Sequence, residues 1–316
     1  MSIRLTPHIL SIINWSSPIT DPIRRQFIPL ASGIVPDHAA LSLDSLHETV
    51  HSPVDGLVHR YPDKVLFLAS MRPTLRRWNA MLEHIAHHPE IQDVVVSGGD
   101  SYYLAPDHLH MICDRLLEMP NIKRIRFATK GLAVNPARIL DFTDGWTDAF
   151  IAICQKGRSM GKQVAMHTHF NHSREITWTT ELAARYLFEQ GVIVRNQTVL
   201  LKGVNDDVDT MSSLIRMLAD LNIQPYYVYQ ADMVRGTEDL RRPLSTILEL
   251  EKQIRGTIAG FMTPSFVVDL PGGGGKRLAN SFETYDPSTG ISTWKAPGVT
   301  GDKVFEYYDP APRVDQ

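Results

Sequence analysis

The sequence predicts an α/β fold, a partial (β/α) barrel of about six to seven parallel strands. From residue 61 onward, strand-like and helix-like segments alternate, which favours parallel strands joined by helical crossovers. Polar residues follow most of the strand-like segments, as they do at the carboxyl ends of the strands in a β/α barrel. The number of strand-like segments is too small for a complete eightfold barrel.

The strand-like segments are short, apolar and bounded by turn residues, whereas the helical segments repeat apolar residues every three or four positions. The predicted strands, some with the turn that follows them, lie within residues 64–69, 93–100, 122–131, 163–171, 192–200, 224–232 and 264–275. The predicted helices cover residues 76–88, 106–119, 177–191, 207–222 and 244–256. The polar residues after the strands are Ser97 to Asp100, Thr129, Lys130, His167, His169, Asn196, Gln197, Gln230, Asp232 and Asp269.

Changes in composition divide the chain into three parts. Residues 1–60 are rich in proline and aspartate with short helical patches, which predicts an N-terminal helical extension that packs on the barrel. Residues 61–280 form the barrel, and residues 281–316 form a C-terminal appendage in which residues 284–298 read as a hairpin.

Composition excludes several classes of protein. The chain has 316 residues, 43% of them hydrophobic, and a formal net charge of -3, with no basic stretch that would suit nucleic acid or a membrane surface. Its two cysteines, Cys113 and Cys154, are too few for a disulfide framework and indicate reduced thiols. No secretion signal and no membrane-spanning run is evident. We therefore expect a cytoplasmic protein.

A glycine-rich stretch, DLPGGGGK, ends at Lys276. It is not a phosphate-binding loop of the G-x-x-x-x-G-K-[ST] type, because Arg277 follows the lysine and Leu270 stands five positions before Gly275. An apolar strand precedes it and a proline opens it, which argues against a linker. Glycines let the backbone turn tightly, which suits a lysine that points into the mouth of a barrel.

Several motifs together carry a family resemblance. They are HRYPDKVLFL (59–68), SGGD (97–100), THFNH (168–172), GVNDD (203–207), PYYVYQAD (225–232) and PGGGGK (271–276). As a set, these motifs resemble the lysine 2,3-aminomutase family over about residues 15–300. The resemblance implies a partial (β/α) barrel, pyridoxal 5'-phosphate (PLP), an amino-acid substrate and a homodimer or higher homo-oligomer.

The resemblance also assigns site residues. It implies that Lys276 forms the Schiff base with PLP, and that Arg60, Lys64, His169 and Gln197 surround that cofactor. Lys64 stands where the family has an arginine, so the charge is kept but the planar fork is lost.

The same resemblance implies that Asp232 and Asp269 bind the side-chain ammonium of the substrate, since a buried ammonium needs compensating charge. They could instead be ordinary strand-end carboxylates that cap helices. His167 and His169 lie on one face of a strand, but no third ligand of matching spacing is evident. We therefore predict no metal site.

One feature of the family is missing. Its members carry C-x-x-x-C-x-x-C after the first strand, which holds a [4Fe–4S] cluster that binds S-adenosylmethionine. The corresponding segment, residues 65–82, has no cysteine and is shorter. Arg72, Arg76 or Arg77 could replace the carboxylate-binding arginine that follows the lost cysteines. Whether SGGD still binds S-adenosylmethionine or is only a turn stays open.

These observations lead to a prediction of function. Without a cluster, we expect a non-radical, PLP-dependent isomerase that racemises lysine or a similar amino acid by removing the Cα proton through a Lys276 Schiff base. The second acid or base would be Lys130, His167, Tyr102 or Tyr103. The alternatives are a catalytically silent relative that binds PLP or an amino acid, and a defective aminomutase that lost the cluster segment.

Overall fold

The computed structural model describes residues 4–71 and 74–311. Within them, α-helices alternate with strands through the middle of the chain. The α-helices are α1 (Pro7–Ile12), α2 (Pro22–Phe27), α3 (Leu75–His87), α4 (Pro106–Glu118), α5 (Gly131–Val134), α6 (Trp146–Ser159), α7 (Trp178–Glu189), α8 (Val208–Asp220), α9 (Leu244–Ile254) and α10 (Pro297–Thr300). Polar side chains begin several of them; Asp207, for example, accepts a hydrogen bond from the Thr210 amide at the start of α8.

Nine strands form one sheet, in the same order as in the sequence. They are β1 (Leu57–Tyr61), β2 (Lys64–Leu68), β3 (Asp93–Ser97), β4 (Arg124–Ala128), β5 (Gln163–His169), β6 (Ile193–Val199), β7 (Ile223–Tyr229), β8 (Ser265–Leu270) and β9 (Gly275–Leu278). Strands β2 to β8 run parallel, and β1 and β9 lie antiparallel at the edges.

The predicted α/β fold with a curled, mostly parallel sheet is confirmed, but the strand count is not. The sheet has nine strands instead of six to seven. The two additional strands are short edge strands, whose residues lie in the HRYPDK and GGGGK motifs. Neither motif has the alternating pattern that indicates a strand, because an edge strand needs little apolar surface.

The sheet curls until its two ends meet through side chains. Arg60 on β1 reaches Asp269 on β8 at 3.2 Å, although these strands are far apart in the sheet order. Tyr61 on β1 also lies against the glycine loop that precedes β9. The seam between β1 and the β8–β9 hairpin therefore closes one side of the half-barrel.

Alternating residues give the central strands two different faces. In β2, β3 and β4, buried and half-buried residues alternate. The buried ones pack outward against helices; the ring of Phe127 on β4, for example, lies 5.0 Å from the ring of Phe150 on α6. The half-buried ones, which include Asp93 and Arg126, face the inside of the barrel and line a cavity.

A second, three-stranded antiparallel sheet follows the barrel. It contains β10 (Thr284–Asp286), β11 (Ile291–Ala296) and β12 (Gly301–Tyr308), and β10 and β11 form the hairpin expected for residues 284–298. Trp294 on β11 is fully buried and belongs to the same apolar cluster as residues of β7 and β8. Among residues 4–71 and 74–311, no helix is both long enough and apolar enough to span a bilayer.

Candidate functional site

The inside of the half-barrel holds a cavity of about 700 Å³. Its wall combines carboxylates, cations, tyrosines and amides from the seam and from the central strands. The polar and aromatic residues that line it include Glu48, Arg60, Tyr61, Lys64, Asp93, Arg126, His167, Gln197, Tyr226, Tyr227, Tyr229, Asp269, Lys276 and Arg277.

Lys276 and Asp269 form an ion pair in this cavity wall. They are opposite each other in the β8–β9 hairpin, so the glycine loop brings two residues that are seven positions apart into register. Lys276 Nζ lies 2.7 Å from Asp269 Oδ2. Arg60 donates to the other oxygen of the same carboxylate at 3.2 Å and to the Tyr61 hydroxyl at 2.8 Å. Asp269 therefore holds two cations in place.

The charge state of Lys276 follows from this arrangement. Burial alone would lower its pKa, but the carboxylate of Asp269 outweighs burial, and the pKa lies above its ordinary value. Its side chain is still 34% exposed, because it projects into the cavity instead of packing in the core. Lys276 is thus an accessible, protonated amine whose proton faces a carboxylate.

The glycine loop has a steric reason to contain Gly275. Its φ of 76° lies in the left-handed region, and a Cβ at this position would lie 2.9 Å from the Tyr61 hydroxyl oxygen. Tyr61 is in turn fixed by Arg60, whose guanidinium lies 4.8 Å from the centre of the ring. The loop therefore places Lys276 by letting Tyr61 approach its backbone closely.

We expect Gly275→Ala to destabilise the protein by about 2 to 3 kcal/mol, since left-handed strain of about 1 to 2 kcal/mol adds to the steric clash. Gly161→Ala is the matched control, because Gly161 has a φ of 67° and nothing within 4 Å of its Cβ position. Urea denaturation measures both. Equal losses for the two variants would contradict the role given to Tyr61.

Two carboxylates beside this ion pair have no ion-pair partner. The Asp232 and Glu48 side chains accept no hydrogen bond from the residues that the structure describes, and both feel the charges of Asp269, Arg60 and Lys276. Burial, followed by repulsion from Asp269, raises the pKa of Asp232 to about 6. Burial likewise raises the pKa of Glu48. The seam therefore carries negative charge that a cationic ligand would compensate.

We expect Asp232→Asn to stabilise the free protein at neutral pH and to leave it unchanged near pH 4. The pKa of Asp232 is about 6 in the folded protein and 3.8 in the unfolded chain, so folding favours the protonated carboxyl. The wild type is therefore fully stable below its unfolded pKa and loses stability as the pH rises through the folded pKa. Above that range, the ionised carboxylate lowers the free energy of unfolding by at most about 3 kcal/mol. Unfolding free energies measured from pH 4 to 8 test this, and a constant difference across that range would contradict it.

A chain of hydrogen bonds joins β5, β6 and β7 in the cavity wall. The Tyr226 hydroxyl donates to Gln197 Oε1 at 3.1 Å, and His167 Nδ1 lies 3.2 Å from the same hydroxyl. Because Tyr226 uses its hydrogen toward Gln197, His167 donates from Nδ1 and leaves Nε2 with a lone pair. This Nε2 is buried and has no partner among the described residues. Burial and the charges of Arg126 and Arg195 lower the pKa of His167 to about 3, so the ring is neutral.

Five of the residues expected from the sequence line this cavity: Arg60, Lys64, Gln197, Asp269 and Lys276. Asp232 lies close enough to interact with three of them. His169 does not line the cavity: its Nε2 lies 2.9 Å from Asn171 Oδ1, and its carbonyl accepts from Lys130. Burial, and then Lys130, lowers the pKa of His169 to about 3.

The expected acids, bases and arginines have mostly structural positions. Lys130 pairs with the fully buried Glu175 at 3.1 Å, Tyr102 donates to the Asn135 carbonyl, and Tyr103 is exposed. Among the arginines, Arg77 pairs with Asp55 at 3.1 Å, Arg76 is exposed, and Arg72 lies outside the described residues. Of the four expected acid or base residues, only His167 lines the cavity.

The SGGD motif builds a turn. Asp100 accepts hydrogen bonds from the amides of Tyr102 and Lys130, which joins the loops after β3 and β4. A Cβ on Gly98 would lie 2.7 Å from the backbone of Leu68, so the glycine lets β2 and this loop pack closely. These contacts account for the SGGD motif as a structural turn.

An α/β half-barrel with a lysine, carboxylates and several cations around one interior cavity has the form of a site for a charged small molecule. The comparisons narrow this class. Over 293 residues, or 86% of this chain and 67% of the relative, the chain is 37% identical to the L-lysine 2,3-aminomutase of Clostridium subterminale. It is 32% identical to the glutamate 2,3-aminomutase of Clostridioides difficile, over 86% of this chain and 66% of that protein.

The chain therefore belongs to the lysine 2,3-aminomutase family and spans about two thirds of the length of these relatives. No protein-family model matches it. Among solved structures, Streptococcus suis SuiB bound to S-adenosylmethionine has a TM-score of 0.43 at 15% identity, over 60% of this chain and 42% of that one. So weak a likeness has no bearing on function.

Family membership corrects the predicted function. The prediction of a non-radical, PLP-dependent racemase without an iron–sulfur cluster is wrong, because relatives across 86% of the chain are named 2,3-aminomutases, which shift an amino group between carbons. PLP as the sole cofactor is wrong for the same reason, since that prediction depended on racemase chemistry. The prediction failed because it deduced a reaction from a missing loop.

The described residues do not fit a [4Fe–4S] cluster. Cys113 and Cys154 are both buried in the core between helices and the sheet. Burial raises the pKa of Cys154 to about 12 and that of Cys113 well above its ordinary value, whereas cluster ligands must be thiolates. Residues 4–71 and 74–311 contain no group of three or more potential metal ligands.

They do fit PLP. Lys276 offers an accessible amine, and Lys64, Arg126 and Arg277 surround the cavity with positive charge suited to a phosphate. Two buried nitrogens at the wall, His167 Nε2 and Arg277 Nε, have no partner among the described residues. The polar wall thus has hydrogen-bonding capacity left for a ligand.

Sequence reasoning missed several residues of the cavity, among them Glu48, Arg126 and Tyr226. Arg126 could have been found, because charged and apolar residues alternate in RIRF (124–127) and the charged ones must then face the inside of the barrel. Glu48 lies in an irregular segment without periodicity, and no local signal places it near Lys276.

Proposed function

We propose that this chain is an aminomutase-type enzyme that binds a basic α-amino acid, with lysine as the leading candidate, in the Lys276 cavity. One observation carries the proposal: the Lys276–Asp269 ion pair stands in the cavity wall beside two carboxylates, Asp232 and Glu48, that have no ion-pair partner within residues 4–71 and 74–311. Family membership supports the class of reaction.

In this proposal, Lys276 is the residue that attaches PLP, and Lys64 and Gln197 lie against the cofactor. When bound, PLP supplies a carbonyl that reacts with amines and an electron sink for the adjacent carbon. Lys276 must lose a proton before it can react with a carbonyl, and Asp269 Oδ2, at 2.7 Å from Nζ, is placed to hold that proton. Arg60 keeps Asp269 oriented.

The charge of the seam favours a basic substrate over an acidic one. Arg60 and Lys276 compensate Asp269, whereas Asp232 and Glu48 have no cation of their own. A side-chain ammonium would supply the missing charge, and a glutamate side chain would add repulsion. The charge of the seam therefore favours lysine over glutamate as the substrate, although both kinds of aminomutase occur among the relatives.

Calorimetry on the PLP-loaded protein, titrated with L-lysine or L-glutamate, tests the proposal. We expect L-lysine to bind at least about tenfold more tightly than L-glutamate. Tighter binding of L-glutamate would contradict the basic substrate, and failure to bind either amino acid would contradict the site.

The expected homodimer or higher homo-oligomer, the cytoplasmic location and the division at residues 60 and 280 belong to the proposal as well. The family resemblance supports the first, and two buried, unpaired thiols are compatible with the second. Roles for Arg60 and His169 at the cofactor are proposed on the resemblance.

A further inference from the structure

Arg126 places a positive charge in the wall of the cavity, on a strand away from the seam. Arg126 lies on β4, near the middle of the sheet order, whereas Lys276 and Asp269 lie at the seam where the two ends of the sheet meet. In a curled sheet, a middle strand faces the closing edges across the interior. Arg126 therefore faces the Lys276 seam from the other side of the cavity that both residues line.

Asp93 binds the guanidinium of Arg126 through the Nε atom alone. Arg126 Nε donates to Asp93 Oδ1 at 2.8 Å, while its two terminal nitrogens donate to no acceptor among the described residues. A guanidinium that is fixed at Nε presents its terminal nitrogens as a planar pair of donors. This is the geometry that binds a carboxylate with two parallel hydrogen bonds.

The local charge balance matches a ligand with one negative charge. Asp93 also accepts from Arg124 Nε at 3.3 Å, so one carboxylate serves two arginines and one positive charge remains. His167 adds no charge here, because its ring is neutral. The cavity thus has a positive pole at Arg126 and a negative pole at Asp232 and Glu48.

We propose that Arg126 binds the α-carboxylate of the amino-acid substrate and that Asp93 positions it. This inference rests on the proposed function. A basic amino acid has a carboxylate at one end and a side-chain ammonium at the other, which matches the two poles of the cavity. The other source of an anionic group at Arg126 is the phosphate of PLP.

Arg126→Gln and Arg124→Gln form a matched pair of variants. Both arginines contact Asp93, but the Arg126 side chain is 23% exposed and lines the cavity, whereas that of Arg124 is 42% exposed and does not. Calorimetry on the cofactor-free protein compares L-lysine with 1,5-diaminopentane, which is lysine without its carboxylate. A second pair of titrations compares PLP with pyridoxal, which lacks the phosphate.

We expect Arg126→Gln to weaken lysine binding by about 10- to 100-fold and to leave 1,5-diaminopentane within about twofold. Arg124→Gln removes a neighbouring charge but no donor from the cavity, so it should weaken lysine binding clearly less than Arg126→Gln does. If Arg126→Gln weakens the binding of lysine and of 1,5-diaminopentane equally, or does not weaken the binding of lysine, the role of Arg126 is overturned while the proposed function stands. A loss for PLP but not for pyridoxal or lysine would assign Arg126 to the phosphate and overturn the proposal.

If the wild type binds no amino acid, the proposal and the proposed function fail together. Arg126→Lys is the control for a folding defect, because it keeps the positive charge and removes only the planar pair of terminal nitrogens. We expect it to bind lysine less tightly than the wild type by about tenfold while 1,5-diaminopentane binds unchanged. Loss of both amines in this variant as well would make Arg126 a structural residue and overturn the proposal.

Discussion

Replacing Lys276 with alanine is expected to abolish covalent PLP attachment. The physical reason is that Lys276 supplies the amine of the cavity that pairs with Asp269, and alanine has no group that can react with a carbonyl. The visible absorbance of the PLP-loaded protein checks the prediction.

Lys252→Ala is the control for this experiment. Lys252 has a side chain that is 78% exposed and pairs only weakly with Glu249, at 3.7 Å. It should keep the wild-type absorbance. If Lys276→Ala retained that absorbance as well, Lys276 would be an ordinary lysine on a glycine loop, and the site would have to be sought elsewhere.

Replacing Asp269 with asparagine is expected to destabilise the protein by about 3 kcal/mol, because it leaves Arg60 buried without its counter-charge. The side chains of Arg60 and Asp269 are only 7% and 4% exposed, so solvent does little to compensate. The substitution also removes the carboxylate that keeps the pKa of Lys276 high. Urea denaturation measures the loss of stability.

Asp55→Asn provides the comparison for an exposed ion pair. Asp55 pairs with Arg77 at 3.1 Å, but its side chain is 81% exposed, so its removal should cost less than about 1 kcal/mol. Similar losses for Asp269→Asn and Asp55→Asn would mean that the seam between β1 and β8 does not depend on this ion pair.

The sequence was sufficient for the parts of the site that depend on local order. Strand ends of a parallel sheet meet at one edge, so Gln197 and Asp269 could be assigned to one site before any coordinates. The β8–β9 hairpin places Asp269 and Lys276, which are seven positions apart, opposite each other across the glycine loop. From the sequence we predicted that Lys276 points into the barrel, but not that it lies opposite Asp269.

Contacts between distant segments could not be predicted in this way. Arg60 and Asp269 are 209 positions apart and meet only because the sheet curls. His169 shows the reverse case, since its strand position suggested a cavity residue, whereas Asn171 and Lys130 hold it outside. Hydrophobic periodicity decides which face of a strand is buried, but not which partner a polar side chain finds.

The reaction itself was the least predictable feature. The resemblance and the curated relatives agree on a 2,3-aminomutase family, while the segment between β2 and α3 lacks the cysteines that this family carries. A missing motif removes one set of ligands from consideration, but it does not indicate a replacement reaction. Racemisation had no residue of its own in the cavity to support it beyond Lys276 and His167.

The site at which PLP attaches tests the central claim most directly. The PLP-loaded protein is reduced with borohydride, digested and analysed by mass spectrometry. The cavity geometry predicts a single modified peptide, with the cofactor on Lys276 and none on Lys64, which also lines the cavity. Modification at Lys64 or at surface lysines alone, or no modification at all, would contradict the assignment of Lys276 as the attachment residue.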